Sequence, residues 1–230
     1  VRLLLEAGAD VNFANRCGET ALLKAAYYSQ AGAIRALLQA GAAVNAADTQ
    51  GKTALMYAAS KGNTQVVRLL LEAGADVNFA NRWGETALLE AACYGRAGAI
   101  RALLQAGADV NARDKDGKTP LLMAAYWSSQ LNLRESMDPD CVPALLQAGA
   151  DVNAQDESGS TALMGGAGWH GNADVVRLLL QFGANVNAKA KDGETALMHA
   201  ARYGNAKSIR ALLARLLEGR NAAEVTAVKL

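Results

Sequence analysis

The motif G-x-T-[AP]-L-[LM] stands six times in this chain, beginning at Gly18, Gly51, Gly84, Gly117, Gly159 and Gly193. Its threonines Thr20, Thr53, Thr86 and Thr119 are each 33 residues apart; Thr161 follows after 42 and Thr195 after 34. A second motif, G-A-[DAN]-V-N, ends at Asn12, Asn45, Asn78, Asn111, Asn153 and Asn187 with the same intervals. A fixed period of this length admits few architectures. Each unit is too small to hold a core alone, so it buries its apolar face against the units on either side. The period, rather than the length of 230 residues, sets the organisation.

Residues 48–80 show one unit most clearly. Asp48-Thr49-Gln50-Gly51 is a turn, and Thr53 is placed to cap a short first helix running through Ala54, Leu55, Met56, Ala58 and Ala59. Lys61-Gly62-Asn63 breaks it. Val66, Val67, Leu69, Leu70 and Leu71 give a second, apolar-faced helix that closes at Gly74. Ala75-Asp76-Val77-Asn78 then leads out to the next turn.

These motifs resemble the ankyrin repeat, whose pattern runs roughly G-x-T-P-L-H-x-A-A, a glycine break, a leucine helix and G-A-D-V-N. The likeness extends over nearly the whole chain. It implies an all-α helix–turn–helix solenoid with hairpin-like loops between repeats, and a concave face of first helices and loop tips on which partners dock. The expected division is a partial unit at 1–14, then 15–47, 48–80, 81–113, 114–155, 156–189 and a capping unit at 190–230. Val1-Arg2-Leu3-Leu4-Leu5 repeats Val67-Arg68-Leu69-Leu70-Leu71, so the chain is expected to start inside a unit. A unit cut in this way offers an edge for self-association; otherwise a monomeric array is expected. The family's proline occurs only at Pro120, and its histidine gives way to Leu23, Met56, Leu89, Leu122, Met164 and Met198, so apolar packing must replace the hydrogen bonds that histidine provides.

Two units depart from the pattern. The fourth carries nine extra residues, and Pro143 falls where other units have an arginine inside the second helix. Proline is tolerated only in the first helical turn, so this helix is expected to start late, with Asp140 as its cap and a projecting loop at about 128–139 that offers Leu131, Leu133 and Met137. In the fifth unit Gly165-Gly166-Ala167-Gly168 occupies the first helix. At about 0.5–1 kcal/mol per glycine, that helix should be short and weak.

The aromatic residues fall in few columns. Eight positions after the motif threonine stand Tyr28, Lys61, Tyr94, Trp127, Trp169 and Tyr203; one position earlier stand Tyr27 and Tyr126. Trp83 lies on a loop tip beside Arg82, and Tyr57 nearer the start of its helix. None occupies a leucine-type core position, and aromatic side chains are the commonest anchors of protein interfaces. Trp83, Tyr94, Trp127 and Trp169 are the expected anchors, flanked by Tyr28, Tyr126 and Tyr203, with Arg82, Lys115 and Asp116 setting charge complementarity. Residues 1–41 and 67–107 are near-identical copies that differ at Cys17/Trp83, Lys24/Glu90, Tyr27/Cys93, Ser29/Gly95 and Gln30/Arg96. All five lie on the loop tip or first helix, which favours a face tuned for recognition.

The remaining composition excludes more than it assigns. A formal charge of +1 provides no field to hold nucleic acid or an anionic membrane, and the arginine column Arg2, Arg35, Arg68, Arg101, Arg177 and Arg210 reads as a solvated helix-two face. No apolar run approaches the ~20 residues of a membrane span. Three cysteines at unrelated unit positions do not make a disulfide framework, which points to a reducing, intracellular and cytoplasmic setting, or to a bacterial effector acting inside a host. Only His170 and His199 are available as imidazoles, with no partner at metal-ligand spacing, and no nucleotide or hydrolase signature occurs. The expected function is a non-catalytic scaffold that binds a protein or peptide, without cofactor or metal. The alternative is a targeting arm of a larger enzyme, and a third reading is a small-molecule sensor at Trp169-His170.

Overall fold

The computed structural model describes residues 8–127, 138–168 and 171–227, and it divides into two compact units, Val1–Lys115 and Asp116–Leu230. Among the described residues there are twelve helices and no strands. In the first unit these are α1 (Ala21–Tyr27), α2 (Ala31–Gln39), α3 (Ala54–Lys61), α4 (Thr64–Glu72), α5 (Ala87–Cys93) and α6 (Ala97–Gln105). The second unit holds α7 (Pro120–Trp127), α8 (Cys141–Gln147), α9 (Ala162–Ala167), α10 (Ala173–Gln181), α11 (Ala196–Arg202) and α12 (Ala206–Ala227). The chain is an all-α repeat solenoid.

Each short first helix starts where the sequence provides its cap. The hydroxyls of Thr20, Thr53, Thr86, Thr119, Thr161 and Thr195 accept from the backbone N–H three residues on, at 3.3–3.4 Å. Within the first unit α1, α3 and α5 pack side by side as one layer, and α2, α4 and α6 as a second. Alanines at zero or near-zero exposure, such as Ala26, Ala58 and Ala92, let the short helices approach closely. Ile34, Val66, Val67, Leu70, Ile100 and Leu103 seal the second layer. Each such side chain contributes about 1.5–3 kcal/mol by leaving water. In the second unit α9 lies between α7 and α11, while α10 packs on α12.

At the position where the family pattern has histidine, Leu23, Met56, Leu89, Leu122 and Met164 are buried, so apolar packing does take over there. Met198 differs: it is exposed on α11. The loops are tied by other means. The amide of Asn45 accepts from the Asp76 N–H at 2.8 Å and donates to the Gly74 carbonyl at 3.4 Å, one repeat further on. Asn12, Asn78 and Asn153 make the same two bonds. Backbone bonds also join successive loop tips within each unit: Thr49 to Cys17, Lys115 to Trp83, Glu157 to Asp116 and Lys191 to Ser158, all at 2.8–2.9 Å. Gly18 makes one of these approaches possible. Its φ is +75°, and a β-carbon there would sit 2.8 Å from the Thr49 nitrogen.

Helix α8 begins at Cys141 with Pro143 in its first turn, where a missing N–H costs nothing. Asp140 does not cap it. Its backbone is already helical and its side chain makes no capping bond; the Asp140 N–H instead donates to the Asp138 carboxylate at 3.0 Å. The expected loop at 128–139, with Leu131, Leu133 and Met137, lies outside the described residues apart from its last two positions. Helix α9 is the shortest, at six residues. Its glycines are packing positions, since a β-carbon on Gly165 would come within 3.2 Å of the Tyr126 Cα, and one on Gly166 within 3.2 Å of Val175 Cγ1. Helix α12 runs for 22 residues, more than twice the length of the other second helices. No helix among the described residues is long and apolar enough to cross a membrane.

Candidate functional site

In the first unit the structure gathers the tyrosines at the ends of the short helices. Tyr27, at the C-terminus of α1, meets Tyr28 edge-on at 5.0 Å and Tyr57 of α3 edge-on at 5.6 Å. The Lys61 ammonium lies 4.2 Å from the centre of the Tyr27 ring. Tyr27, Tyr28 and Tyr94 remain 43%, 64% and 45% exposed, so the cluster is open to a partner rather than sealed in the core. Tyr57 is half-buried. Its hydroxyl donates to Asp48 Oδ2 at 2.6 Å, while Asp48 Oδ1 accepts from the Gln50 and Lys52 N–H groups of the turn. Burial, reinforced by that carboxylate, pushes the Tyr57 phenol far above its usual range.

A cavity of about 310 Å³ opens beside this cluster, between Tyr27, Tyr57, Lys61 and Tyr94. Its floor is an ion pair, Lys52 to Glu90 at 2.6 Å, with the Glu90 side chain 7% exposed and that of Lys52 23%. Burial raises the Glu90 carboxyl above its ordinary value against the pull of Lys52. The Lys52 ammonium suffers burial too, but its hydrogen bond and charge interaction with Glu90 outweigh it and raise its pKa. Burial and the Glu90 charge also raise the Tyr94 phenol.

This arrangement revises the reading of the duplicated segment. In the first copy Lys24 is exposed and pairs with Glu19. Its counterpart Glu90 is spent between repeats on Lys52, and Arg96, the counterpart of Gln30, donates to the Ser60 carbonyl at 3.2 Å while packing over Gly62. Two of the five differences therefore hold neighbouring repeats together. Cys17/Trp83 and Tyr27/Cys93 do alter exposed surface: Trp83 is 42% exposed, with the Arg82 guanidinium 5.3 Å from its ring.

The second unit has its own cavity, of about 420 Å³, bounded by Met123, Tyr126, Met164, Gly165, His199 and Tyr203, with Asp156 also in its wall. Tyr126 and Tyr203 are 50% and 38% exposed. His199 Nε2 is 3.2 Å from Glu194, and Arg202 also pairs with Glu194. Burial nonetheless holds the His199 imidazole below its ordinary value, with Asp192 opposing. Lys115 and Asp116 are exposed on a loop tip, and Asp116 pairs with Lys118 at 2.9 Å. The Trp127 side chain, Trp169 and His170 lie outside the described residues. Arg35, Arg68, Arg101, Arg177 and Arg210 are exposed on second helices.

A model of the family described as "Ankyrin repeats (3 copies)" matches residues 1–81, 73–135 and 133–223. The chain belongs to the ankyrin repeat family. Among solved structures it is similar to the ankyrin repeat domain of Bcl-3, a member of the IκB protein family, at 31% identity and a TM-score of 0.70, over 92% of this chain and 89% of that one. It is also similar to the ankyrin repeat protein EF0377, at 28% identity and a TM-score of 0.74, over 89% of this chain and 98% of that one. No curated protein matches it significantly. Ankyrin repeats are in general protein–protein interaction modules, and the fold is generally non-catalytic. Features of this ankyrin chain not foreseen from sequence include the Lys52–Glu90 pair and the Asp48–Tyr57 hydrogen bond. Both join fixed repeat columns, so a column-by-column reading for opposite charges in adjacent repeats would have found the first.

Proposed function

We propose that this chain is a non-catalytic scaffold that docks a protein or peptide on the face made by its first helices and loop tips. The observation that carries this reading is the open tyrosine cluster of the first unit. Tyr27, Tyr28 and Tyr94 keep between four-tenths and two-thirds of their surface exposed, and Tyr27 and Tyr94 line a cavity. Rigid amphipathic rings at the rim of a pocket are the chemistry of interface anchors, worth roughly 2 kcal/mol or more each when a partner covers them. Within the first unit Trp83, Arg82 and Lys115 add loop-tip contacts; in the second unit Asp116, Tyr126 and Tyr203 offer contacts of their own. The exposed free thiol of Cys17 suits a reducing, intracellular setting.

The test is the double substitution Tyr28→Ala/Tyr94→Ala in the full chain. Both rings are exposed, so the melting temperature should be unchanged, while affinity for a partner isolated on the wild-type chain should fall about tenfold or more. Undiminished affinity would remove this reading.

A further inference from the structure

The cavity of the second unit is lined by a glycine at the column position where the first unit carries Tyr57. Counting from the motif threonine, Asp156 occupies the position of Asp48, Gly165 that of Tyr57, and Tyr126 that of Tyr27. In the first unit these columns touch directly, beside the smaller cavity of about 310 Å³: the Tyr57 ring stands edge-on to Tyr27 and its hydroxyl donates to Asp48 Oδ2. In the second unit the central residue is glycine, and a cavity of about 420 Å³ lies between Asp156, Gly165 and Tyr126. The turn around Asp156 is otherwise the same: its Oδ1 accepts from the Ser158 and Ser160 N–H groups, as Asp48 Oδ1 does from Gln50 and Lys52. The second carboxylate oxygen, which Tyr57 occupies at Asp48, has no donor on Asp156 among the described residues. A β-carbon on Gly165 would sit 3.2–3.3 Å from the Tyr126 backbone, so filling this space from Gly165 itself requires α7 and α9 to move apart.

We infer that this cavity receives a tyrosine side chain of the partner peptide, with the ring edge-on to Tyr126 between Met123 and Met164, and its hydroxyl donating to Asp156. This deepens the docking function proposed above and rests on it for the source of the ring. The phenol is preferred over a plain benzyl ring because an apolar guest would bury the free carboxylate oxygen without satisfying it. It is preferred over a cationic side chain because Lys118 already lines the cavity and Asp156 is the one carboxylate among its described lining residues.

The experiment uses the full chain labelled with ¹³C at its methionine methyls and titrated with N-acetyl-tyrosinamide, N-acetyl-phenylalaninamide and p-cresol. The tyrosine amide should shift the Met123 and Met164 methyls saturably, with a Kd on the order of millimolar for so small a ligand, and leave Met56 unmoved. The phenylalanine amide should bind about fivefold more weakly or worse. Asp156→Asn retains an oxygen for the turn N–H groups but replaces the acceptor with an amide N–H₂ group. It should weaken the tyrosine amide about fivefold and leave the phenylalanine amide unchanged. Equal binding of the two amides to the wild-type chain would overturn the inference without recourse to any variant. So would binding of p-cresol alone, which would mark a site for free phenols, or an absence of shifts with all three probes. None of these outcomes bears on Tyr28 and Tyr94, so the docking function is tested separately.

Discussion

Removing one member of the Lys52–Glu90 pair should expose how that contact works. In Lys52→Met the Glu90 carboxylate, with a side chain only 7% exposed, loses its one ion-pair partner among the described residues. Stranding one charge of a buried pair costs about 3–5 kcal/mol when water is fully excluded. Here the 310 Å³ cavity beside the pair and the 23% exposure of Lys52 admit some solvent, so about 2–3 kcal/mol is the expected loss at pH 7. The sign of its pH dependence follows from Glu90. Burial already places the folded carboxyl above 4.5, and losing Lys52 must raise it further. Between 4.5 and that higher value the folded chain binds more protons than the unfolded one, so stability falls as pH rises through the window. The penalty of the variant should therefore shrink markedly between pH 7 and pH 4.5. Urea unfolding at the two pH values, with hydrogen exchange assigning the change to Val1–Lys115, measures it; at pH 7 the midpoint should drop by about 1 M. Lys52→Met/Glu90→Leu should recover wild-type stability to within about 1 kcal/mol, since an apolar pair needs no desolvation offset. An equal penalty at both pH values, or a double variant no better than the single, would refute the reasoning.

Two further outcomes follow from the geometry. Asn45→Ala removes both bonds to the next loop and should cost about 1 kcal/mol; hydrogen exchange should show the Asp76 amide losing protection while α3 keeps its own. His199 is held below 6.5 by burial, and the helix facing it, α9, carries no ionisable side chain. Its neutral form therefore contributes stability that is fully present above pH 6.5 and is lost as pH falls through the lower folded value, despite the nearby Glu194 and Asp192. His199→Gln should flatten that part of a melting-temperature profile, and an unchanged profile would show that Glu194 already carries the imidazole charge.

The legible part of this molecule was the part set by local chemistry. Thr53 caps α3 because a hydroxyl three residues before a free N–H caps a helix in any context, and Pro143 fixes where α8 can begin because the ring forbids an interior position. The illegible part lay between repeats. Asn45 looked like part of an exit segment, yet it bridges to a loop 31 residues away. Glu90 looked like surface variation and is an inter-repeat ion pair. Gly165 looked like a weakness in its helix; in the structure its missing side chain brings α7 and α9 together and leaves a cavity beside them. Asp140 is the converse case. A favourable cap residue stands at the right position, but its backbone is helical rather than extended and its side chain makes no capping bond.

The most direct measurement is the dissociation constant of the purified partner for three full-length chains: wild type, Tyr28→Ala/Tyr94→Ala, and Arg35→Ala/Arg68→Ala on the second helices. We expect the tyrosine variant to bind about tenfold or more weakly, with the arginine variant equal to wild type. Weakening by the arginine substitutions alone would place the partner on the opposite face and contradict the account.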